Sequence, residues 1–288
     1  MNKFPTEFVE ILKRIDLIDP VKYASTRNFK NGKVSRLSPY ISRGVISTRF
    51  VYDKLVEKGL NLKKCEKFIQ ELAWRDYWQL VWIKKNIDKD LKYNQADVLN
   101  FGISESIMNA STGIEAIDKS IELLYDTGYM HNHLRMYLAS LCTNVGKSHW
   151  KAPAKWMYYH LLDGDWGSNA LSWQWVAGSN SNKKYIANQD NINKYTKSNQ
   201  RNTILDISYE LLSTIKQPEK LSDLSKKVFK TKLPKSNNFK LLENITNVYK
   251  ESYEKSQELK KTLFIKTFYE KKWLDLEKTI KYLAFSIH

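Results

Sequence analysis

Phe8, Ile11, Leu12 and Ile15 fall at i, i+3, i+4 and i+7, the spacing that lines apolar side chains along one face of a helix. The pattern predicts a short amphipathic packing helix within residues 1–20. A longer helix is predicted over Glu66 to Lys85, where Ile69, Ala73, Tyr77 and Leu80 form an apolar stripe. On another side of that helix Glu71, Trp74, Arg75 and Trp78 repeat the i, i+3, i+4, i+7 spacing with polar and aromatic groups. Asn132, Arg135, Met136 and Ala139 share one face of a further helix, so an amide and a guanidinium point where a core residue would usually sit. A buried guanidinium needs a partner. Asp163 and Asp165, at the end of the next helix, are the nearest candidates, and Arg135–Asp163 is the sensible pair. Beyond about residue 200 the chain changes to Lys/Glu-rich stretches with scattered Leu, Ile and Tyr, broken by Pro218 and by a polar run at 233–238. Further helices with one exposed loop are expected there.

Composition supports a mostly helical globular chain. Across 288 residues, 42% hydrophobic and 13% aromatic content suffice for a sizeable core, while 10 Gly and 6 Pro leave few turn punctuators for a multistranded fold. The formal charge of +16 attracts polyanions, although lysines on a solvated surface give the same total. Cys65 and Cys142 are isolated thiols without a Cys-x-x-Cys pair or nearby histidine ligands, so no metal site is expected and a reducing cytoplasm fits. The N-terminus lacks the apolar core of a secretory signal, and no run approaches the ~18 apolar residues of a membrane span.

Three segments carry candidate chemistry. In Ser35-Arg36-Leu37-Ser38-Pro39, Ser38 suits the N-cap and Pro39 the first helical position, leaving free N–H groups for a phosphate. Most Ser-Pro helix starts bind nothing, so this alone is weak. Glu71 and Arg75 admit two readings: an intrahelical ion pair worth ~0.3–0.5 kcal/mol, or, with Trp74 and Trp78, an aromatic platform for a base with a carboxylate to bond its polar edge. Asn169, Trp173 and Trp175 follow Gly164, Gly167 and Ser168, small residues that let backbone approach a ligand closely. The chain has no Walker loop, dinucleotide fingerprint, metal-ligand cluster or nucleophilic triad. Hydrolysis is poorly supported, and redox or binding chemistry remains.

Read together, Tyr23-x-x-x-Arg27-Asn28-Phe29, Ser35-Arg36-Leu37-Ser38-Pro39, Glu71-Leu72-Ala73-Trp74-Arg75 and the run from Thr127 to Trp175 resemble the FAD-binding half of the photolyase/cryptochrome family. The resemblance implies an all-α FAD-binding fold, with a catalytic core over 21–200, the N-terminal helix of 1–20 before it and a Lys-rich helical region over 201–288 packed on the core. It assigns Tyr23, Ser35, Leu37 and Ser38 to the FAD diphosphate and turns Arg75 towards the cofactor. Asn132, Arg135, Asp163 and Asp165 would surround the isoalloxazine and adenine, and Asn169 would sit beside flavin N5, where an uncharged amide tolerates the reduced state. Glu71 would bond a flipped pyrimidine dimer, Trp74 and Trp175 would stack on it, and Met136 would line the pocket. Asn132 and Met136 favour cyclobutane dimers over (6-4) photoproducts.

Other positions depart from the family pattern. Trp173 and Trp150 match the inner two tryptophans of the family's electron-transfer chain, but the third position falls near Asp97. His133 and Ala187 stand where repair enzymes commonly carry arginines that hold DNA. The sequence starts almost at the flavin region, without the antenna domain that usually begins family members, so light collection is expected to rest on FAD alone unless a separate subunit supplies an antenna. The implied activity is light-driven repair of UV-damaged DNA, with a preference for single strands. The alternatives are a cryptochrome-like photoreceptor that binds FAD without repair, or the FAD subunit of a split photolyase.

Overall fold

The structure, a computed structural model, describes residues 4–226. The polar loop expected at 233–238 and the rest of the Lys-rich region after 226 lie outside the described residues. Among the described residues every regular element is helical, and extended pairing is confined to two isolated bridges, Asn100 with Ser148 and Ser104 with Leu224. The α-helices are α1 (Phe8–Asp16), α2 (Pro20–Thr26), α3 (Ser38–Ser42), α4 (Thr48–Glu57), α5 (Leu62–Lys84), α6 (Glu105–Met108), α7 (Glu115–Thr127), α8 (Asn132–Ser140), α9 (Lys151–His160), α10 (Trp166–Ala177), α11 (Gln189–Thr196) and α12 (Tyr209–Thr214). A π-helical turn, Leu141–Val145, continues α8, and a 3₁₀ turn, Glu219–Leu221, follows α12.

The expected N-terminal helix is α1. Ile11 and Ile15 are buried while Phe8 stays 50% exposed, so the apolar stripe is anchored by its C-terminal half. Lys58 reaches from the end of α4 to donate to the Ile15 and Asp16 carbonyls at 3.2 and 2.7 Å, satisfying groups that a helix end leaves open. Helix α5 begins four residues before the predicted start because the Asn61 side chain caps it, accepting from the Lys63 and Lys64 amides.

Buried side chains form two apolar clusters. Ile11, Ile15, Leu37, Tyr40, Val51, Leu55 and Phe68 belong to one, with Ile69 and Leu72 packed on it. Trp150, Trp156, Trp166, Trp173 and the apolar faces of α7 to α10 build the other, with Trp78, Val81 and Trp82 packed against it. Helix α5 thus gives its first half to one cluster and its second half to the other, and residues 71–78 cross the seam. Helix α7 stops at Gly128, whose φ of 67° is left-handed and whose missing Cβ leaves room for Leu162. The Gly128 carbonyl accepts from the Leu162 amide at 2.8 Å, which brings the start of α8 beside the turn carrying Asp163.

Candidate functional site

Asp163 sits in the turn between α9 and α10, buried, and the Arg135 Nη2 of α8 donates to both of its oxygens at 2.9 and 3.0 Å. Arg135 also donates through Nε to the Met130 carbonyl at 2.8 Å, which fixes the plane of its guanidinium. Burial pushes the Asp163 carboxyl up, but the Arg135 charge and a hydrogen bond from Ser38 outweigh it and hold the group below the usual carboxylate range. The expected Arg135–Asp163 pair is therefore present. The expected Ser38 cap is not: Leu37 occupies the N-cap position, α3 starts at Ser38, and no side chain caps it. The Ser38 hydroxyl is spent on Asp163.

Asp165 is the N-cap of α10, accepting from the Ser168 amide at 3.2 Å and the Ser168 hydroxyl at 2.8 Å. Across the seam α5 supplies Arg75, whose Nη1 donates to Asp165 at 3.1 Å, and Gln79, whose Nε2 donates at 2.7 Å to one oxygen and 2.8 Å to the other. Gly167 permits this approach, since a Cβ there would meet Gln79 Nε2 at 3.0 Å and the Trp82 ring at 3.2 Å. Two carboxylates, each matched to one guanidinium, thus join α5 and α8 to the α9–α10 turn.

The intrahelical Glu71–Arg75 pair considered from sequence is replaced by two long-range pairs. Arg75 turns to Asp165, and Glu71 faces Arg27 at the end of α2, Nε to Oε1 3.6 Å. Burial raises the Glu71 carboxyl above its ordinary range, against the pull of Lys67 and Arg27. Trp74 stacks on Trp78 at 4.9 Å with a 29° tilt, and both rings are half-buried. Tyr23 of α2 sets its ring edge-on to Phe68 at 5.0 Å, and burial with the Glu71 charge raises its phenol pKa.

The remaining predicted residues divide by burial. Ser35 and Met136 are half-buried, Leu37 is a core residue, and Asn132 is exposed at the first position of α8. Asn169 is buried on α10 and donates through Nδ2 to the Ala154 carbonyl at 2.8 Å. Trp150 and Trp173 are buried, whereas Trp175 is 36% exposed and lies 5.7 Å from Tyr185. Asp97, near the third position of the family's tryptophan chain, pairs with Lys184 at 2.5 Å. His133, at an arginine position of the family pattern, is buried between Tyr137 and Tyr195, 4.7 Å from each ring.

His131 caps α8, its Nδ1 accepting from the His133 amide at 3.2 Å. That bond leaves the proton on Nε2, which is buried without a hydrogen-bond partner. Burial first, and then the neighbouring His133 and the charges of Arg135 and Arg36, lower the His131 pKa to about 4. An orphaned donor beside two guanidinium groups suits an acceptor-rich, anionic ligand. The donor set therefore fits an anionic cofactor such as FAD.

Four partners are not legible from local spacing: Arg27 for Glu71, Gln79 for Asp165, and Asp88 and Asp90, which accept the ring N–H of Trp166 and Trp150 respectively. Of these Gln79 comes nearest, because it continues the Glu71–Arg75 face by one more turn. The others come from loops whose proximity no local period encodes. A shallow, open surface depression at Asn188, Asp190, Asp206 and Tyr209 involves none of the predicted site residues.

Residues 68–283 match the family described as the FAD binding domain of DNA photolyase. A deoxyribodipyrimidine photo-lyase of Alkalihalophilus pseudofirmus is 32% identical over 161 residues, 54% of this chain and 34% of that protein. A cryptochrome DASH of Danio rerio is 31% identical, over 54% of this chain and 32% of its own length. The chain thus spans about a third of the length of these curated relatives. An archaeal photolyase structure from Sulfolobus tokodaii superposes with a TM-score of 0.58 at 21% identity, covering 85% of this chain and 57% of that one. A Synechocystis cryptochrome superposes with the same TM-score of 0.58 at 24% identity, over 67% and 44% of the two chains. These structural likenesses show the fold.

Proposed function

Because the chain belongs to the family of the FAD binding domain of DNA photolyase, we propose that it binds FAD and repairs cyclobutane pyrimidine dimers in DNA with light. The observation that carries this reading is the α5 face at the seam, where Glu71, opposed by Arg27 at 3.6 Å, lies one turn from the stacked pair Trp74–Trp78. A carboxylate beside half-exposed aromatic rings can bond the polar edge of a flipped base pair and stack on its faces. Trp175 supports the same reading, since it alone among the tryptophans of α9 and α10 is exposed enough to offer a ring to a ligand.

Arg135, Asp163, Ser38, Arg75 and Asp165 would hold the cofactor, with Tyr23, Ser35 and Leu37 towards its diphosphate and Asn132 and Asn169 towards its rings. When bound and reduced, FAD supplies light-driven one-electron chemistry: an electron lent to the dimer and regained once the dimer has split. The protein's part is to exclude water, hold the dimer against Trp74 and Met136, and keep an uncharged amide, Asn169, beside the flavin ring. The charge of +16 draws the DNA backbone and makes binding salt-dependent. Single strands are the preferred substrate in this reading, and the cytoplasm is the place of action. Among the described residues no helix is long and apolar enough to cross a membrane.

Burial of His133 and Ala187, 7% and 3% exposed, favours a second reading, a blue-light photoreceptor that holds FAD without repair. Neither side chain replaces the arginine contacts to DNA that the family pattern provides. A separate antenna subunit, as in a split photolyase, is compatible with either. The deciding experiment illuminates the reduced flavoprotein with a single-stranded oligonucleotide carrying one thymine dimer, beside a dark control. Repair only in the light supports the first reading; an intact dimer with reduced FAD bound supports the second.

A further inference from the structure

Residues 97–101 run alongside 147–149 as a short ribbon, bridged between Asn100 and Ser148. The Leu99 amide donates to the Lys147 carbonyl at 2.8 Å, and the His149 amide donates to the Asn100 carbonyl at 2.8 Å. Asn100 turns inward, its Oδ1 accepting from the Ser148 hydroxyl at 2.9 Å, so its neighbours Leu99 and Phe101 share the outward face. They are 67% and 75% exposed. The Phe101 ring stacks on His149, with centroids 5.3 Å apart and planes tilted by 27°. Both nitrogens of that imidazole are engaged: Nδ1 accepts from the Lys151 amide at 3.3 Å, and Nε2 faces Asp90 at 3.4 Å. The imidazole is thus fixed behind Phe101, whose exposure leaves its other face to solvent.

Positive charge surrounds this platform. Lys184 pairs with Asp97 at the start of the ribbon. Lys147 is only 8% exposed, and among the described residues its ammonium has neither a hydrogen bond nor an ion pair. Burial and the Lys184 charge hold its pKa below the ordinary lysine value. Asp97 and Lys147 both hold left-handed φ angles, 58° and 51°. Non-glycine residues persist in that conformation only where their surroundings impose it, and such residues concentrate at ligand-binding sites. The ribbon also adjoins the face already described, because Lys184 precedes Tyr185, whose ring lies beside Trp175.

We propose that this ribbon is a second contact for single-stranded nucleic acid, in which an unstacked base lies on Phe101 and the flanking phosphates are held by Lys147 and Lys184. A free strand offers the π-faces that a duplex keeps stacked, and an aromatic ring beside basic side chains takes such a strand without reading its sequence. The charge disfavours a protein on the same face. Lys147, Lys151 and Lys184 exceed the carboxylate of Asp97, and a second copy of this chain would bring a further charge of +16 against them. This contact needs neither FAD nor a lesion; it rests only on the reading of the chain as a nucleic-acid binder. A strand leaving Trp175 would cross Tyr185 and Lys184 to reach Phe101, so that undamaged nucleotides beside a flipped dimer carry part of the affinity.

The test is fluorescence anisotropy in the dark, with the full-length protein and an undamaged, labelled oligothymidylate of about ten nucleotides, beside an abasic strand and a duplex of the same length. The wild type is expected to bind the oligothymidylate at least about tenfold tighter than the abasic strand. Phe101→Ala, a change at an exposed side chain, should remove that margin and leave duplex affinity unchanged, while Phe101→Trp keeps the margin. Lys147→Met and Lys184→Gln should each lower the steepness of log affinity against log salt by about 0.7; Lys184→Gln alone carries this arm if Lys147→Met fails to fold. Unchanged oligothymidylate affinity in Phe101→Ala, or an unchanged salt slope in the folded lysine variants, would overturn the contact. If the wild type binds no strand at all, the nucleic-acid reading itself fails. A dimer in sedimentation that is lost in Phe101→Ala, with oligothymidylate affinity unaltered, would give the face to a second copy of the chain instead.

Discussion

A single nitrogen of Arg135 donates to both oxygens of Asp163, at 2.9 and 3.0 Å, while the Ser38 hydroxyl bonds the same carboxylate from the start of α3. Asp163→Asn would leave the guanidinium facing a neutral amide. The expected cost is about 3 kcal/mol or more, the scale for removing one partner of a buried pair. A urea titration of the two proteins measures it. Loss of FAD binding should accompany the change, whereas a stability change below 1 kcal/mol would mark the pair as solvent-screened.

Glu71 and Arg27 are half-exposed and stand 3.6 Å apart, a geometry worth no more than about 1 kcal/mol. Glu71→Ala should therefore leave the melting temperature and flavin content nearly unchanged while lowering repair by about tenfold or more. A large fall in melting temperature with repair retained would assign Glu71 to the fold.

Asn169 is buried and its amide is fixed by the Ala154 carbonyl at 2.8 Å. Replacing it with Asp puts a negative charge in its place, so reduction of a bound flavin should become harder and its potential fall. Potentiometric titration of the loaded proteins checks the direction. Equal potentials would remove Asn169 from the neighbourhood of the flavin ring.

Burial lowers the pKa of His131 and of His133 to about 4, from an ordinary 6.5, with His133 and then Arg135 and Arg36 adding to the effect at His131, and Arg27 at His133. The unfolded chain therefore takes up protons first on acidification. Stability from these groups is fully present above about pH 6.5 and is lost as pH falls towards 4, at up to roughly 1.4 kcal/mol per unit for each histidine. Asp163, held low, adds to the loss at lower pH, below the ordinary carboxylate range. Melting temperatures between pH 7.5 and 4 should fall, and His133→Phe should flatten the curve. A curve unchanged by that substitution would place the acid sensitivity elsewhere.

The helices were legible because a 3.6-residue period writes itself into α1 and α5, and the Arg135–Asp163 pair was legible because a guanidinium on a core-facing side demands a carboxylate. Ser38 was misassigned to a cap because its hydroxyl serves a carboxylate more than a hundred residues away. The partners of Glu71 and Arg75 were missed for the same reason. Local spacing made each the other's neighbour, while tertiary contacts from α2 and from the turn before α10 offered partners that period alone cannot rank. Asp88 and Asp90 lie in a loop without periodicity, so nothing in the chain pointed from them to the two indoles.

Helix α5 draws its two halves from different apolar clusters, and its middle therefore persists only while both are intact. Amide protons along residues 71–78 should exchange no more slowly than the weaker cluster opens, even where their own hydrogen bonds are intact. A substitution deep in either cluster, remote from Glu71 and Trp74, can thus tune how often the seam opens without altering a single side chain along it.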